Sequence, residues 1–351
     1  MTTKIVQWAT GPVGAAQLRE VIRDPDLELV GVLVYSDDKV GLDAGDLVDL
    51  PPTGVTTTAD RAAIMALDAD LVLHAASKAH GFEQNTEDII ELLESGKDVI
   101  TTTSYAHLAT LDPEVDERIR AACIAGGTRF HAAGEHPGFM FERLAVSLTS
   151  LSQRVDSIVL RQYVDASHVP ERRMLVDLMG MGKLPDEITL ESPAFRSVAT
   201  QAEQALAAGA EILGLHIEEI RGEIQTAVID HDVVLPVATL PAGTVVGQIL
   251  SWSAMRKGVV VLQCEEYWVC TPDIPQWDLR LEGHTVRITV EGAPRLELEL
   301  VVDTDPVPEL GGVSGGYVAV AMAGVRAIAD VRAAEPGVVV PSIFGVYRWR
   351  D

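Results

Sequence analysis

Positive charge is scarce in this chain. Its 351 residues carry 27 Lys and Arg against 52 Asp and Glu, a formal net charge of −25. A field of that sign repels nucleic acid and anionic membrane, so neither is expected as a partner. Cysteine is scarcer still: Cys123, Cys264 and Cys270 form no C-x-x-C pair. An odd, scattered set is a poor disulfide framework and fits a reducing compartment. No apolar run is long enough to span a bilayer. Met1-Thr2-Thr3-Lys4 leads directly into an apolar run, so no signal peptide is expected and a cytoplasmic location is. The nine histidines lack H-x-x-x-H or H-E-x-x-H spacing, and no metal is expected. Neither hydrolase nor P-loop chemistry is expected.

What the chain has is a strand, a glycine turn and a helix at its start. Ile5–Ala9 is apolar, Thr10-Gly11-Pro12-Val13-Gly14 breaks it, and a helical pattern over Ala15–Arg23 follows at once. Backbone N–H groups at such a helix start face an anion, and the helix dipole favours its charge. The dinucleotide fingerprint G-x-G-x-x-G reads here Ala9-Thr10-Gly11-Pro12-Val13-Gly14, with alanine at the first glycine. Gly11 allows close approach of a pyrophosphate, and Gly14 allows helix and strand to pack. Pro12 suits a first helical position, where its missing N–H costs nothing.

A second buried strand, Leu27–Tyr35, ends at Ser36-Asp37-Asp38-Lys39. A small residue with a nearby cation accepts a 2′-phosphate, so Ser36 and Lys39 point to NADP; Asp37 keeps NAD open. Leu67–Ala75 is a third strand. Its carboxyl end, His74-Ala75-Ala76-Ser77, lies along the cofactor path, where small residues allow approach. A helix over Thr86–Ser95 with Asn85 or Thr86 as cap, a strand over Asp98–Thr102, a helix from Asp112 to Gly126-Gly127 and a strand over Thr128–Ala132 complete an alternating pattern. That alternation predicts a Rossmann-type, doubly wound parallel sheet over residues 1–140.

Beyond a helix near Gly138–Leu151 the pattern changes to long strands: Ser157–Val164, Val245–Met255, Val259–Thr271, Thr285–Val290 and Leu296–Val302, with a helix over Ser197–Leu213. Lys257-Gly258 and Glu282-Gly283 read as hairpin turns. The expectation is a second, α+β domain over 141–313 with a mixed or antiparallel sheet. A final small-residue helix, 314–334, is expected to return to the first domain and complete it. The class is α/β.

Two loops at strand ends carry chemistry-bearing residues: Thr101–His107 and Gly134–Phe139. Tyr105 or His107 is a candidate proton donor to a carbonyl oxygen. Glu135 is a candidate base or amine ligand, and His136 a candidate partner of the nicotinamide carboxamide. Tyr163 and His168 are further pocket candidates.

QWATGPVG, VYSDDKVGLDAGDL, HAAS, the PGF of 137–139 and the closing AAEPG together resemble proteins of the dihydrodipicolinate reductase-like group. The closer resemblance is to 2,4-diaminopentanoate dehydrogenases and native amine dehydrogenases. It implies NAD(P)-dependent reductive amination of a ketone or aldehyde, and a second domain that dimerises. Carried over by position, it implies that Gly11, Pro12, Val13 and Gly14 hold the pyrophosphate and Ser36 and Lys39 the adenosine end. It implies that Ala76, Thr102 and His136-Pro137-Gly138 flank the nicotinamide. The family pattern carries a glutamate in the loop after Thr102, where this chain has Ser104-Tyr105. Three functions follow: an amine dehydrogenase in which Glu135 or a water replaces that acid, a carbonyl reductase using Tyr105 without ammonia, and a non-catalytic dinucleotide sensor.

Overall fold

The computed structural model describes residues 2–77 and 80–349. The chain divides into two compact units, Met1–Phe139 with Thr304–Pro341, and Met140–Asp303 with Ser342–Asp351.

The first unit alternates strand and helix: β1 (Thr3–Trp8), α1 (Pro12–Arg23), β2 (Leu27–Leu33), α2 (Arg61–Met65), β3 (Leu71–His74), α3 (Phe82–Glu94), β4 (Asp98–Thr101), α4 (Leu108–Leu111), α5 (Pro113–Gly126) and β5 (Arg129–Ala132). The late segment adds the two-residue strands β14 (Pro306–Val307) and β15 (Val313–Ser314), then α8 (Gly315–Arg326), α9 (Ile328–Ala333) and β16 (Gly337–Val338). One parallel sheet runs β16-β5-β4-β3-β1-β2. Its residues alternate between two cores. Val6, Trp8, Val72, Val99 and Phe130 pack with Ile89, Leu92, Ile119 and Ala122 of α3 and α5. Ile5, Leu71, Leu73 and Ile100 pack with Val21 of α1 and with Val325, Ile328 and Val331 of α8 and α9. Each such aliphatic side chain contributes roughly 1.5–3 kcal/mol. Helices on both faces make the sheet doubly wound, as the alternation predicted. Strand order reverses around β1, and ligands bind at the carboxyl ends beside such a reversal.

The second unit holds a mixed sheet, ordered β13-β12-β6-β11-β10-β7. Its elements are α6 (Val146–Leu148), β6 (Arg154–Asp165), α7 (Pro193–Leu213), β7 (Glu219–Val228), the short β8 (Val233–Val234) and β9 (Thr239–Leu240), β10 (Val245–Arg256), β11 (Val259–Val269), β12 (His284–Ala293) and β13 (Leu296–Val302). Lys257-Gly258 turns β10 into antiparallel β11.

Several local expectations are corrected. Glu282-Gly283 is not a hairpin turn: β12 pairs with β6 and β13, while β11 pairs with β6 and β10. Helix α3 begins four residues before Thr86, and Thr86 is no cap because its hydroxyl donates back to Phe82 O at 2.9 Å inside the helix. The final helix tightens at Ala327, whose N–H bonds Gly324 O at 3.2 Å, and splits into α8 and α9. The helix near 138–151 is a π-helical turn, Met140–Ala145, followed by α6. Strand β7 went unforeseen because its Glu219, Arg221, Glu223 and Gln225 face solvent and dilute the apolar pattern.

Candidate functional site

Strand β1 ends in a turn whose geometry the residue types explain. Ala9 has φ 73, the left-handed region, at the position where the fingerprint has its first glycine. A Cβ there costs about 1–2 kcal/mol. The buried Gln7 amide holds the strained residue: its Nε2 donates to Ala9 O at 3.0 Å and to Gln17 Oε1 at 3.2 Å. Gly11 caps α1 in extended backbone and Pro12 is the first helical residue. A Cβ built on Gly11 meets nothing within 4 Å, whereas one on Gly14 lies 2.2 Å from Ala9 O. Gly14 is therefore required by the protein itself. Gly11 keeps open the space that a pyrophosphate needs, so the turn fits that group. Thr10 is buried and Val13 half-buried beside it.

Lys39 lies over this turn, half-buried, its Nζ donating to Thr10 O at 2.9 Å and reaching Thr10 Oγ1 at 3.4 Å. Ser36 stands exposed at the start of the Asp37–Lys39 turn, and its side chain makes no capping bond. Asp43 ties the following loop, accepting N–H bonds from Gly45, Thr53 and Gly54 at 2.7–2.8 Å. Tyr35, missed by the pattern reading, accepts a bond from Trp8 Nε1 at 2.8 Å and meets the exposed His80 ring.

The ends of β3, β4 and β5 form the other half. Ala75 is half-buried and Ala76 buried after His74. Thr102 N donates to His74 O at 3.0 Å. The Gly134–Phe139 loop is closed tightly: a Cβ on Gly134 lies 2.5 Å from Pro137 O, and Gly138 has φ 123. The His136–Pro137 bond is cis. Glu135 and His136 are half-buried there, Pro137 is buried and Gly138 half-buried.

Tyr105 is corrected. Its ring is 3% exposed and belongs to the core packed by α3 and α5. Its hydroxyl lies 2.8 Å from Thr86 Oγ1 and donates to Phe82 O at 3.2 Å, and burial pushes the phenol up to about 12. The packed tyrosine braces α3, its hydroxyl turned to Thr86 and Phe82 O. His107 Nδ1 accepts from Thr110 N at 3.3 Å as the cap of α4. In the second unit Tyr163 is buried against Tyr267, and His168 is largely exposed beside Asp165.

One serine-elbow spacing, Gly312-Val313-Ser314-Gly315-Gly316, does occur in the chain, at a strand-to-helix junction. Ser314 has φ −58 and donates its hydroxyl to Thr304 O at 2.9 Å, so it lacks the strained, exposed geometry of a nucleophile. Among the described residues no group of three or more His, Cys, Asp or Glu side chains could hold a metal ion, and no helix is long and apolar enough to cross a membrane.

No family model matches the chain. It is 28% identical over 340 residues to an amine dehydrogenase of Streptomyces virginiae, covering 95% of this chain and 93% of that protein. That likeness runs along nearly the whole of both chains. An amine dehydrogenase structure from Mycobacterium smegmatis superposes with a TM-score of 0.68 at 19% identity, over 100% of this chain and 98% of the other. A myo-inositol dehydrogenase from Corynebacterium glutamicum gives 0.55 at 13% identity, over 96% and 90%. The fold is shared with these dehydrogenase structures.

Proposed function

We propose that this chain is a nicotinamide-dependent dehydrogenase that interconverts a small amine and its ketone or aldehyde, with NADP(H) as cofactor and a homodimer as its assembly. The observation that carries the cofactor reading is the turn at β1, with an unobstructed Gly11 at the start of α1. Thr10, Gly11, Pro12, Val13 and Gly14 cradle the pyrophosphate. Lys39, beside Thr10, and the exposed Ser36 supply the cation and the hydroxyl that favour a 2′-phosphate. Ala75, Ala76, Thr102 and the His136-Pro137-Gly138 turn flank the nicotinamide half. The amine chemistry is supported by the end-to-end likeness to the Streptomyces protein.

When bound, the nicotinamide supplies or accepts a hydride. The chain's own task is to hold the substrate carbon, exclude water and manage protons. Glu135 is the carboxylate nearest in sequence to the strand ends that could receive a proton from ammonia or an ammonium group. To the α+β domain expected over 141–313 we assign substrate binding and dimerisation.

One observation favours a carbonyl reductase instead: residues 102–111 contain no carboxylate. The two readings separate when NADPH and NADH oxidation is followed against ketones and aldehydes with and without ammonium at high pH. Turnover that requires ammonium supports the amine reading; turnover indifferent to it supports the reductase. A protein that binds NADPH and turns over nothing is a sensor. The Lys39→Ala variant is expected to lose the preference for NADPH over NADH by about tenfold, the worth of one charge-assisted contact. An unchanged preference removes Lys39 from cofactor selection.

A further inference from the structure

Strands β3 and β4 are neighbours, with His74 opposite Thr101 in register. Both side chains are fully buried. His74 Nδ1 lies 3.0 Å from Thr101 Oγ1, and Thr101 Oγ1 lies 2.6 Å from Thr103 Oγ1. Thr103 N–H also donates to Thr101 Oγ1 at 3.2 Å. Among the described residues, His74 Nε2 is buried with no hydrogen-bond partner. None of these three side chains is accounted for by the pyrophosphate turn or by the loop around Glu135.

The direction of the chain follows from counting protons. A neutral imidazole carries one N–H. On Nε2 it would be a buried donor with no partner; on Nδ1 it meets the Thr101 oxygen and leaves only a lone pair unmatched. The first arrangement carries the full desolvation cost of an orphaned donor, so the proton belongs on Nδ1. Thr101 Oγ1 then accepts from His74 and from Thr103 N–H, which fills its two lone pairs. Its own proton has one place left to go, the Thr103 oxygen. Thr103 accepts that bond and retains its own O–H for a group outside the chain of three. The reverse tautomer would turn both side-chain bonds round and use up the Thr103 proton on Thr101.

We propose that His74 and Thr101 are positioning residues that make the half-buried Thr103 hydroxyl a one-directional hydrogen-bond donor at the carboxyl edge of the first sheet, where it polarises the carbonyl oxygen of the substrate. This rests on the dehydrogenase reading above. No bond is made or broken at Thr103. Its hydroxyl stabilises the negative charge that gathers on oxygen as the carbonyl carbon is attacked. Acid chemistry is not asked of it, which suits a loop without a carboxylate and a Tyr105 committed to the core.

The test has two arms. The imidazole nitrogens of His74 are read by 15N NMR of the full-length protein, assigned by their loss in His74→Gln. A protonated Nδ1 and bare Nε2 from pH 6 to 8 is expected; a protonated Nε2, or ordinary titration in that range, overturns the directed chain. The second arm measures kcat and NADPH affinity on a ketone or aldehyde that the wild type reduces. Thr103→Val is expected to lower kcat about 100-fold, the cost of one such donor, with NADPH affinity unchanged, and Thr103→Ser is expected to restore turnover. Unchanged kcat in Thr103→Val overturns the role of the hydroxyl while leaving the dehydrogenase reading intact. A wild type that turns over no carbonyl, with or without ammonium, overturns the reading and the role together, and the NMR arm still decides the direction of the bonds.

Discussion

The two halves of the sheet's carboxyl edge are built on different principles. At β1 and β2 the proposed recognition elements are backbone: an open glycine, a left-handed Ala9, a helix start, with one lysine laid across them. At β3 to β5 they are side chains held by other side chains, His74 by Thr101 and Thr101 by Thr103. A pyrophosphate is a large, fixed anion that backbone N–H groups can hold in any such fold. A reacting carbon needs a few groups placed for one substrate, and those come from strands distant in the chain.

Within the first half, Gly11 and Gly14 offer the widest contrast. Gly14→Ala drives a methyl into Ala9 O at 2.2 Å, a contact between two pieces of backbone with no rotamer to yield. The variant is expected to lose roughly 3 kcal/mol of stability, along with cofactor binding. In Gly11→Ala the added methyl meets no protein atom within 4 Å. Its thermal midpoint is expected to match the wild type while NADPH affinity falls about 100-fold, since the methyl enters the space of the pyrophosphate. Thermal melts and a fluorescence titration of both variants check this. Equal losses of affinity and stability in the two would mean that Gly11 is a packing residue and the turn no phosphate site.

Legibility divided along the same line. Spacing alone located the glycine turn, because a βα turn with close helix packing needs glycine at a fixed offset, and Gly14 meets that need against Ala9. The doubly wound sheet was readable from the apolar centres of buried parallel strands, such as LVL of 71–73 and VI of 99–100. Tyr105 was misplaced because a tyrosine in a loop after a strand looks available. Only the return of α3, 19 residues away, puts Thr86 and Phe82 O against its hydroxyl. His74 and Thr103 were named only within strand-end segments and not joined to each other, their link lying across 27 residues between His74 and Thr101. A polar residue in an otherwise apolar strand, as in LVLHAA, was the available signal.

The buried histidine makes a prediction about pH. Burial pushes the His74 imidazole down to about 3, against an opposing pull from its own backbone and with a lesser push from the charge of His80. The unfolded chain, with an ordinary imidazole, therefore binds the extra proton first. Stability is full above pH 6.5 and declines as pH falls toward 3, by about 2 kcal/mol between pH 7 and 5. Urea midpoints at the two pH values, for the wild type and for His74→Gln, read this directly. The variant is expected to be less stable at both but to lose that much of the difference between them. A slope identical to the wild type would mean that His74 is accessible to solvent protons in the folded state, and the hydroxyl chain would lose its fixed direction.

The smallest effect expected is at Tyr105, and it sharpens the contrast from the other side. Tyr105→Phe removes the hydroxyl that bonds Thr86 and Phe82 O and leaves the ring packed between Phe82 and Phe130. Stability is expected to fall by about 1 kcal/mol, the net worth of a buried hydrogen bond. Turnover per folded molecule is expected to stay within error of the wild type, because a phenol held near 12 and turned into the core has no path to a substrate oxygen. Steady-state kinetics on the variant, beside its urea midpoint, separate the two quantities. A large drop in kcat with unchanged stability would return Tyr105 to the chemistry, and would show that the loop after β4 rearranges when substrate binds.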